Sequence, residues 1–288
     1  MVSLRVPAST ANLGPGFDCL GCALSLYLRC NFELRPAGEV SISGCPPEYN
    51  NPENLLYRAY LAGLDHLGLP ATGLAVEAAS DIPYARGLGS SAATIAAGIG
   101  AAYLLHGRTL DRPAIFRMTA RMEGHPDNAA PAVLGGLRAA MQEEGNLYEV
   151  ELALSDSLQW TALIPDFELP TTKARGVLPA SLPRADAVYN LSHAMLLMKA
   201  LETGDLPLLY ASLRDRMHQP HRLPLISGGE AVWQAAQSFG AAVFLSGAGP
   251  TLMCIHRESP FLHAIKEHLP DRWQALPLQP DQAGIQQE

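Results

Sequence analysis

The chain has 288 residues, a formal net charge of −8 and 48% hydrophobic residues. That apolar content supports a packed core and excludes a disordered chain. The acidic balance argues against a nucleic-acid or membrane-surface partner, each of which favours a basic face. Lysine is scarce, with Lys173 the first of only three. A P-loop lysine or a protein-kinase lysine is therefore excluded from the N-terminal half. Five cysteines at irregular spacing do not form a disulfide framework; Cys19-x-x-Cys22 lacks a second pair, and the thiols read as small buried groups in a reducing, cytoplasmic setting. Arg5 and Pro7 interrupt any signal-peptide pattern, and the apolar run over 92–105 is too short to span a bilayer.

In chain order, residues 2–7 read as a short strand. Leu24, Leu26, Leu28, Cys30, Phe32 and Leu34 alternate on one face, which predicts a half-buried strand over 23–34. A strand over 39–43 follows, then a helix over 52–67 with Asn51 as cap and Pro52 at its first position. A strand over 73–79 leads to a helix over 91–105. Asp111 caps a helix running to 123, with Pro113 in its first turn, and strands over 136–141, 147–153 and 159–164 close the first half. The second half is more helical, over 171–177, 184–203, 205–216 and 228–239. Strands over 241–245 and 251–256 flank a Gly-rich turn, and a helix over 260–269 and a strand over 272–278 follow. The polar tail from Gln279 reads as frayed. Strands and helices mix without regular alternation, which points to α+β in two lobes, divided into residues 1–156 and 157–288.

Four segments carry chemistry. The sharpest is Pro83-Tyr84-Ala85-Arg86-Gly87-Leu88-Gly89-Ser90-Ser91-Ala92, in which two glycines and two serines open a small-residue helix. Glycine lets the backbone approach an anion, and the first helical turn offers free N–H groups and roughly half a positive charge. That is a way to bind phosphate without lysine. The others are Pro7-Ala8-Ser9-Thr10-Ala11-Asn12-Leu13-Gly14-Pro15-Gly16-Phe17-Asp18, then Glu123-Gly124-His125-Pro126-Asp127-Asn128, and the turn Ser246-Gly247-Ala248-Gly249-Pro250-Thr251. His218-x-x-His221 has no carboxylate at zincin spacing and reads as a flank of the loop presenting Arg222.

Together these segments resemble the GHMP kinase superfamily, and within it the homoserine kinase family, from about residue 3 to residue 256. Mevalonate kinases have a lysine early in the first segment, where this chain has Ser9. The resemblance implies a two-lobed GHMP kinase fold, with an N-terminal ribosomal-protein-like α/β domain that binds ATP and a C-terminal ferredoxin-like domain. It implies ATP and Mg²⁺ as cofactors, L-homoserine as the small-molecule substrate, threonine biosynthesis as the setting, and a homodimer. By the same resemblance, Pro83, Arg86, Gly87, Leu88, Gly89, Ser90, Ser91 and Ala92 bind the nucleotide, and Ser91 and Glu123 hold the metal. Asn12, Asp18, His125, Thr171, Arg175 and Arg222 bind the acceptor, with the two arginines on its carboxylate and Asp18 on its ammonium. Asn12, Asp127 and Asn128 form the catalytic set, with Asp127 read as fixing pocket geometry rather than as a general base. Another small alcohol as acceptor, or a non-catalytic sensor, are the rival readings. Gly89→Val is expected to weaken nucleotide use while leaving the fold largely intact.

Overall fold

The computed structural model describes residues 1–257 and 260–288. Two sheets organise the chain, one of seven strands and one of four. The first is built around two long strands, β1 (Val2–Ala11) and β2 (Leu20–Arg35), paired antiparallel. Sixteen residues make β2 long enough to hold two further partners on its other edge. Its C-terminal half pairs with β4 (Gly73–Ser80), which β3 (Val40–Ser43) joins in parallel, and its first residues pair with β5 (Leu137–Glu143), which forms a hairpin with β6 (Asn146–Leu152). The predicted alternation holds from Leu24 to Phe32, but Leu34 is exposed near the strand's end.

Four helices accompany this sheet: α1 (Leu55–His66), α2 (Ser90–Leu105), α3 (Arg112–Glu123) and α4 (Ala129–Leu134). α1 starts three residues later than predicted, because the cap is Asn54, whose side chain accepts the Leu56 N–H at 2.8 Å, while Asn51 closes a turn onto Glu53. Asp111 caps α3 as expected, accepting the Ala114 N–H. α4 has no counterpart in the sequence reading; six residues give too short a pattern to see. The central helix is α2. Its Ala and Gly residues leave it apolar all round, the signature of a buried helix, and small size lets neighbours come close. A Cβ on Gly98 would sit 2.3 Å from the Leu56 carbonyl oxygen of α1.

The second sheet, in the order β10-β7-β9-β8, is antiparallel throughout. It comprises β7 (Gln159–Pro165), β8 (Ala242–Leu245), β9 (Leu252–His256) and β10 (Trp273–Leu278). Between β7 and β8 run α5 (Thr171–Gly176), α6 (Arg184–Thr203), α7 (Leu206–Ser212), α8 (Gln219–Arg222) and α9 (Gly229–Ser238), and α10 (Pro260–His268) precedes β10. The helix expected over 205–216 is thus shorter and followed by a separate turn of helix, because Asp215 turns its carboxylate onto the N–H groups of Met217, His218 and Gln219.

The tail is the main correction. It is not frayed but returns to the first sheet, where β11 (Gln286–Gln287) pairs with β1. The edge of β2 away from β1 leaves room for it: β5 pairs with Leu20–Cys22 and β4 with Leu28–Arg35, and neither covers the residues between. Buried backbone groups must find partners, and the tail supplies them: Ser25 N–H donates to the Gln279 carbonyl and Asp281 N–H to that of Ala23, both at 2.9 Å. Asp281 also accepts from the Tyr27 hydroxyl, and Ile285 is fully buried in the N-terminal core. Ile285→Ala should therefore destabilise the protein by about 2–5 kcal/mol, read as a lower urea midpoint with unchanged slope; a midpoint equal to wild type would mean that the tail is not part of the core.

Candidate active site

Each functional segment is delivered by the end of a regular element. The Gly-Ser loop joins β4 to α2. Gly87 and Gly89 both have positive φ, +75° and +69°, and both are pressed against other backbone or side chains. A Cβ on Gly87 would meet the Ser246 carbonyl oxygen at 2.3 Å, and one on Gly89 would meet Ser9 Oγ at 2.1 Å. The first intrahelical bond after this loop is Ala93 N–H to the Gly89 carbonyl. The amides of Ser90, Ser91 and Ala92 therefore precede the helical ladder and give α2 the electropositive end that suits phosphate.

The turn between β8 and β9 braces that loop. Ser246 Oγ lies 2.6 Å from the Gly87 carbonyl oxygen and 2.8 Å from Thr10 Oγ1, and Gly247 N–H donates to the Ala11 carbonyl. Asn12 spends its carboxamide on backbone at both ends, donating to the Gly247 carbonyl and accepting from Asp18 N–H. Arg86 is a strap as well. Its guanidinium donates to the carbonyls of Tyr84, Pro165 and Asp166, tying the loop to β7.

A cavity of about 320 Å³ opens where these segments meet. It is lined by every predicted site residue except Pro83 and Ala92. Ala92 is fully buried within α2. Arg86 lines the cavity, but its donors are used on carbonyls rather than aimed at a ligand. Leu55, Ile95 and Met122 also line it, an apolar wall that no motif announced. A second cavity, about 890 Å³ and lined by Trp160, Thr161 and His256, contains none of the predicted residues.

One side of the site is acidic. Ser91 Oγ donates to Glu123 Oε1. Burial raises the Glu123 carboxyl above the usual range, only partly offset by the Ser91 hydrogen bond and by His125, whose Nε2 lies 4.0 Å away. His125 Nδ1 is 2.5 Å from Asp127 Oδ1, which also accepts the Asn128 N–H. Burial alone would lower His125, but the Asp127 bond and the charges of Asp127 and Glu123 outweigh it and raise the imidazole. Asn128 Oδ1 in turn accepts from Ser9 Oγ at 2.9 Å.

The other side is cationic. Arg175, from α5, makes a two-pronged bond to Asp18 at 2.8 and 3.1 Å, and this bond raises it. Arg222, at the end of α8, is fully buried, and desolvation with the neighbouring Arg175 lowers it to about 10, still a cation at neutral pH. Both guanidiniums lie over the Phe17 ring, at 5.7 and 5.1 Å from its centroid.

Two donor sets face the cavity as candidate metal ligands. Ser91 and Glu123 offer hard oxygens at the mouth of α2, a small set that suits Mg²⁺, which takes its remaining ligands from phosphates and water. Asp18, His125 and Asp127 also bring ligand atoms within 4.8 Å of one another, but that set includes a nitrogen and its Asp18 is bonded to Arg175. The first set fits Mg²⁺ better.

Because Gly89 abuts Ser9, Gly89→Val is not the fold-neutral change that the sequence suggests. Gly89→Ala should lose more stability than Gly107→Ala. The latter has φ +70° but open space around its Cβ and pays only the left-handed backbone cost, about 1–2 kcal/mol. Urea midpoints compare them, and equal losses would show that Ser9 gives way freely.

Comparison with known proteins agrees with this geometry. The family model described as GHMP kinases N terminal domain matches residues 54–136, and that described as GHMP kinases C terminal matches residues 197–273. A homoserine kinase of Clostridium botulinum (strain Langeland / NCTC 10281 / Type F) is 38% identical over 290 residues, 99% of this chain and 97% of the relative. One from Thermosynechococcus vestitus is 42% identical over 96% of this chain and 93% of its own. The crystal structure of homoserine kinase from Cytophaga hutchinsonii superposes with a TM-score of 0.88 at 26% identity, covering 100% of this chain and 97% of that one. The chain belongs to the GHMP kinases and, within them, to the homoserine kinase family.

Proposed function

We propose that this chain transfers the γ-phosphoryl group of Mg·ATP to the hydroxyl of L-homoserine, giving O-phospho-L-homoserine for threonine biosynthesis. The observation that carries the reading is the convergence on one cavity of a lysine-free phosphate loop with a paired carboxylate and guanidinium suited to an α-amino acid. The amides at the start of α2 would hold the phosphates, and Ser91 and Glu123 would hold Mg²⁺, which would supply positive charge against the phosphates. Asp18 takes the acceptor's ammonium, and Arg175 and Arg222 its carboxylate. In effect the zwitterion exchanges one internal ion pair for two external ones. Asp18 and Arg175 are about one-third exposed, and pairs of that kind contribute only about 0–1 kcal/mol, so little stands against the exchange. His125 and Thr171 bound the acceptor, and Asn12 shapes the pocket through its backbone contacts.

The acceptor oxygen then attacks the γ-phosphorus in line, the bond to the bridging oxygen of ADP breaks, and the hydroxyl proton passes to water. Phosphoryl transfer through a loose transition state needs little help with that proton. Asp127 is nearly inaccessible, and its Oδ1 is engaged by His125 and by the Asn128 N–H. We therefore assign it to pocket geometry. Asp127→Asn should lower kcat by less than about a thousandfold; a larger loss with substrate KM and fold intact would identify a general base.

Release of ADP, measured against L-homoserine, mevalonate and a hexose, tests the assignment as a whole. Turnover of homoserine alone is expected. Turnover of another alcohol instead would reassign the acceptor, and ADP release with none of them would point to a sensor. Cytoplasmic residence and pairing into a homodimer belong to the same reading. No disulfide joins the described cysteines, and no described helix is long and apolar enough to cross a membrane.

A further inference from the structure

His218 is a buried titratable group that this mechanism leaves unused. It is fully buried and sits between Arg222 and the turn at Gly14, 204 residues before it in sequence. Its Nε2 lies 2.7 Å from the carbonyl oxygen of Gly14, in the turn that carries Asn12 and Asp18. Its Nδ1 faces Arg222 Nη1 at 3.4 Å, the weaker of its two contacts. The neighbours dictate the tautomer. A carbonyl only accepts, so Nε2 carries the proton, and a guanidinium only donates, so Nδ1 is bare. Asp215 Oδ2 is 3.6 Å from Nε2, but its carboxylate is already taken up by three backbone N–H groups and the Asn190 amide. Burial also disfavours a charged imidazole here.

Arg222 is correspondingly constrained. Nε donates to the Ala174 carbonyl, next to Arg175, and Nη1 is shared between the Gly247 carbonyl and His218. These contacts leave Nη2 without a protein acceptor among the described residues, on a side chain that lines the cavity. The imidazole also lies 5.3 Å from the Phe17 ring that both guanidiniums cover.

We propose that His218, as the neutral Nε2–H imidazole, is a positioning residue for the acceptor's carboxylate. It fixes the Arg222 fork relative to the turn that presents Asp18, and so sets the distance between the two sites that read an α-amino acid. It touches neither substrate. The inference rests on Arg222 being a carboxylate partner.

Three substitutions in the full chain separate the roles. His218→Phe removes both polar contacts while keeping a ring against Phe17. His218→Asn keeps an acceptor near the Nδ1 position, and His218→Gln keeps a donor near the Nε2 position. With L-homoserine and ATP varied in turn, His218→Phe should raise the homoserine KM about tenfold or more and leave the ATP KM within about twofold. His218→Asn should recover most of that loss, and more of it than His218→Gln. If the Phe variant does not fold, the order of the Asn and Gln variants decides. Equal rises in both KM values, no rise, or Gln better than Asn would overturn the proposal. Arg222→Lys is the control. If it leaves the homoserine KM unchanged, the carboxylate reading fails and this inference falls with it; if it raises that KM and His218→Phe does not, only the inference fails.

Discussion

The site depends on one brace, the turn between β8 and β9. It holds together three pieces of chain that share no local sequence. Ser246 Oγ reaches the Gly87 carbonyl of the phosphate loop and the Thr10 hydroxyl at the end of β1, and the Gly247 carbonyl receives both the Asn12 amide and Arg222 Nη1. The same two residues thus locate the loop that leads into α2, the turn bearing Asp18, and the Arg222 guanidinium. Buried hydrogen bonds of this kind are costly to leave unmade, so the loops of the two sheets are pinned together at the proposed site of transfer. Positioning is the main contribution a protein makes to phosphoryl transfer.

An acidic chain without an N-terminal lysine must hold a polyanion by arrangement rather than by net charge. Opposing charges are sorted by position. The end of α2 supplies a dipole and free amides. Glu123 faces that end from the C-terminus of α3, where burial raises its carboxyl and the Ser91 hydroxyl bonds it. The two guanidiniums stand across the cavity beside Asp18. Arg222 pays a desolvation cost, visible in its lowered pKa of about 10, and carbonyls of Ala174 and Gly247 offset part of it. Such a buried cation is worth keeping where a planar fork must meet a carboxylate.

Much of this was legible in the sequence because the signals were local. Asp111 and Pro113 place the start of α3, and the alternation from Leu24 to Phe32 places β2. The Gly-Ser loop could be read as a phosphate site because glycine, serine and a following helix are neighbours in sequence. What was not legible depended on distant partners. The tail looked frayed because its partners, the residues of β2 between its pairings with β5 and β4, lie more than 250 residues earlier. The resemblance put Arg86 among the nucleotide-binding residues, and the carbonyls that its guanidinium bonds belong to Tyr84, to β7 and to the residue after it. Asn51 looked like a cap until Asn54, three residues on, took that role. His218 showed only a spacing that excluded zinc; its contact with Gly14 is a tertiary fact.

Backbone strain is concentrated at the same place. Of the five described non-glycine residues with positive φ, Asn12, Leu13 and Asp18 lie in the first segment and Ala85 lies in the phosphate loop. Left-handed backbone in such residues costs about 1–2 kcal/mol each. It persists only where surroundings over-determine it, and here they do. Asn12 is bonded at both ends of its carboxamide, Leu13 is fully buried, and Asp18 accepts Arg175 while its N–H is held by Asn12. The brace and the strain are therefore two sides of one design. Contacts between the lobes hold the first segment in a shape it would not choose alone, and that shape turns the Asp18 carboxylate toward the arginines. A chain that relaxed this segment would gain local backbone energy and lose the spacing between Asp18 and the arginines proposed to read the substrate's two charges.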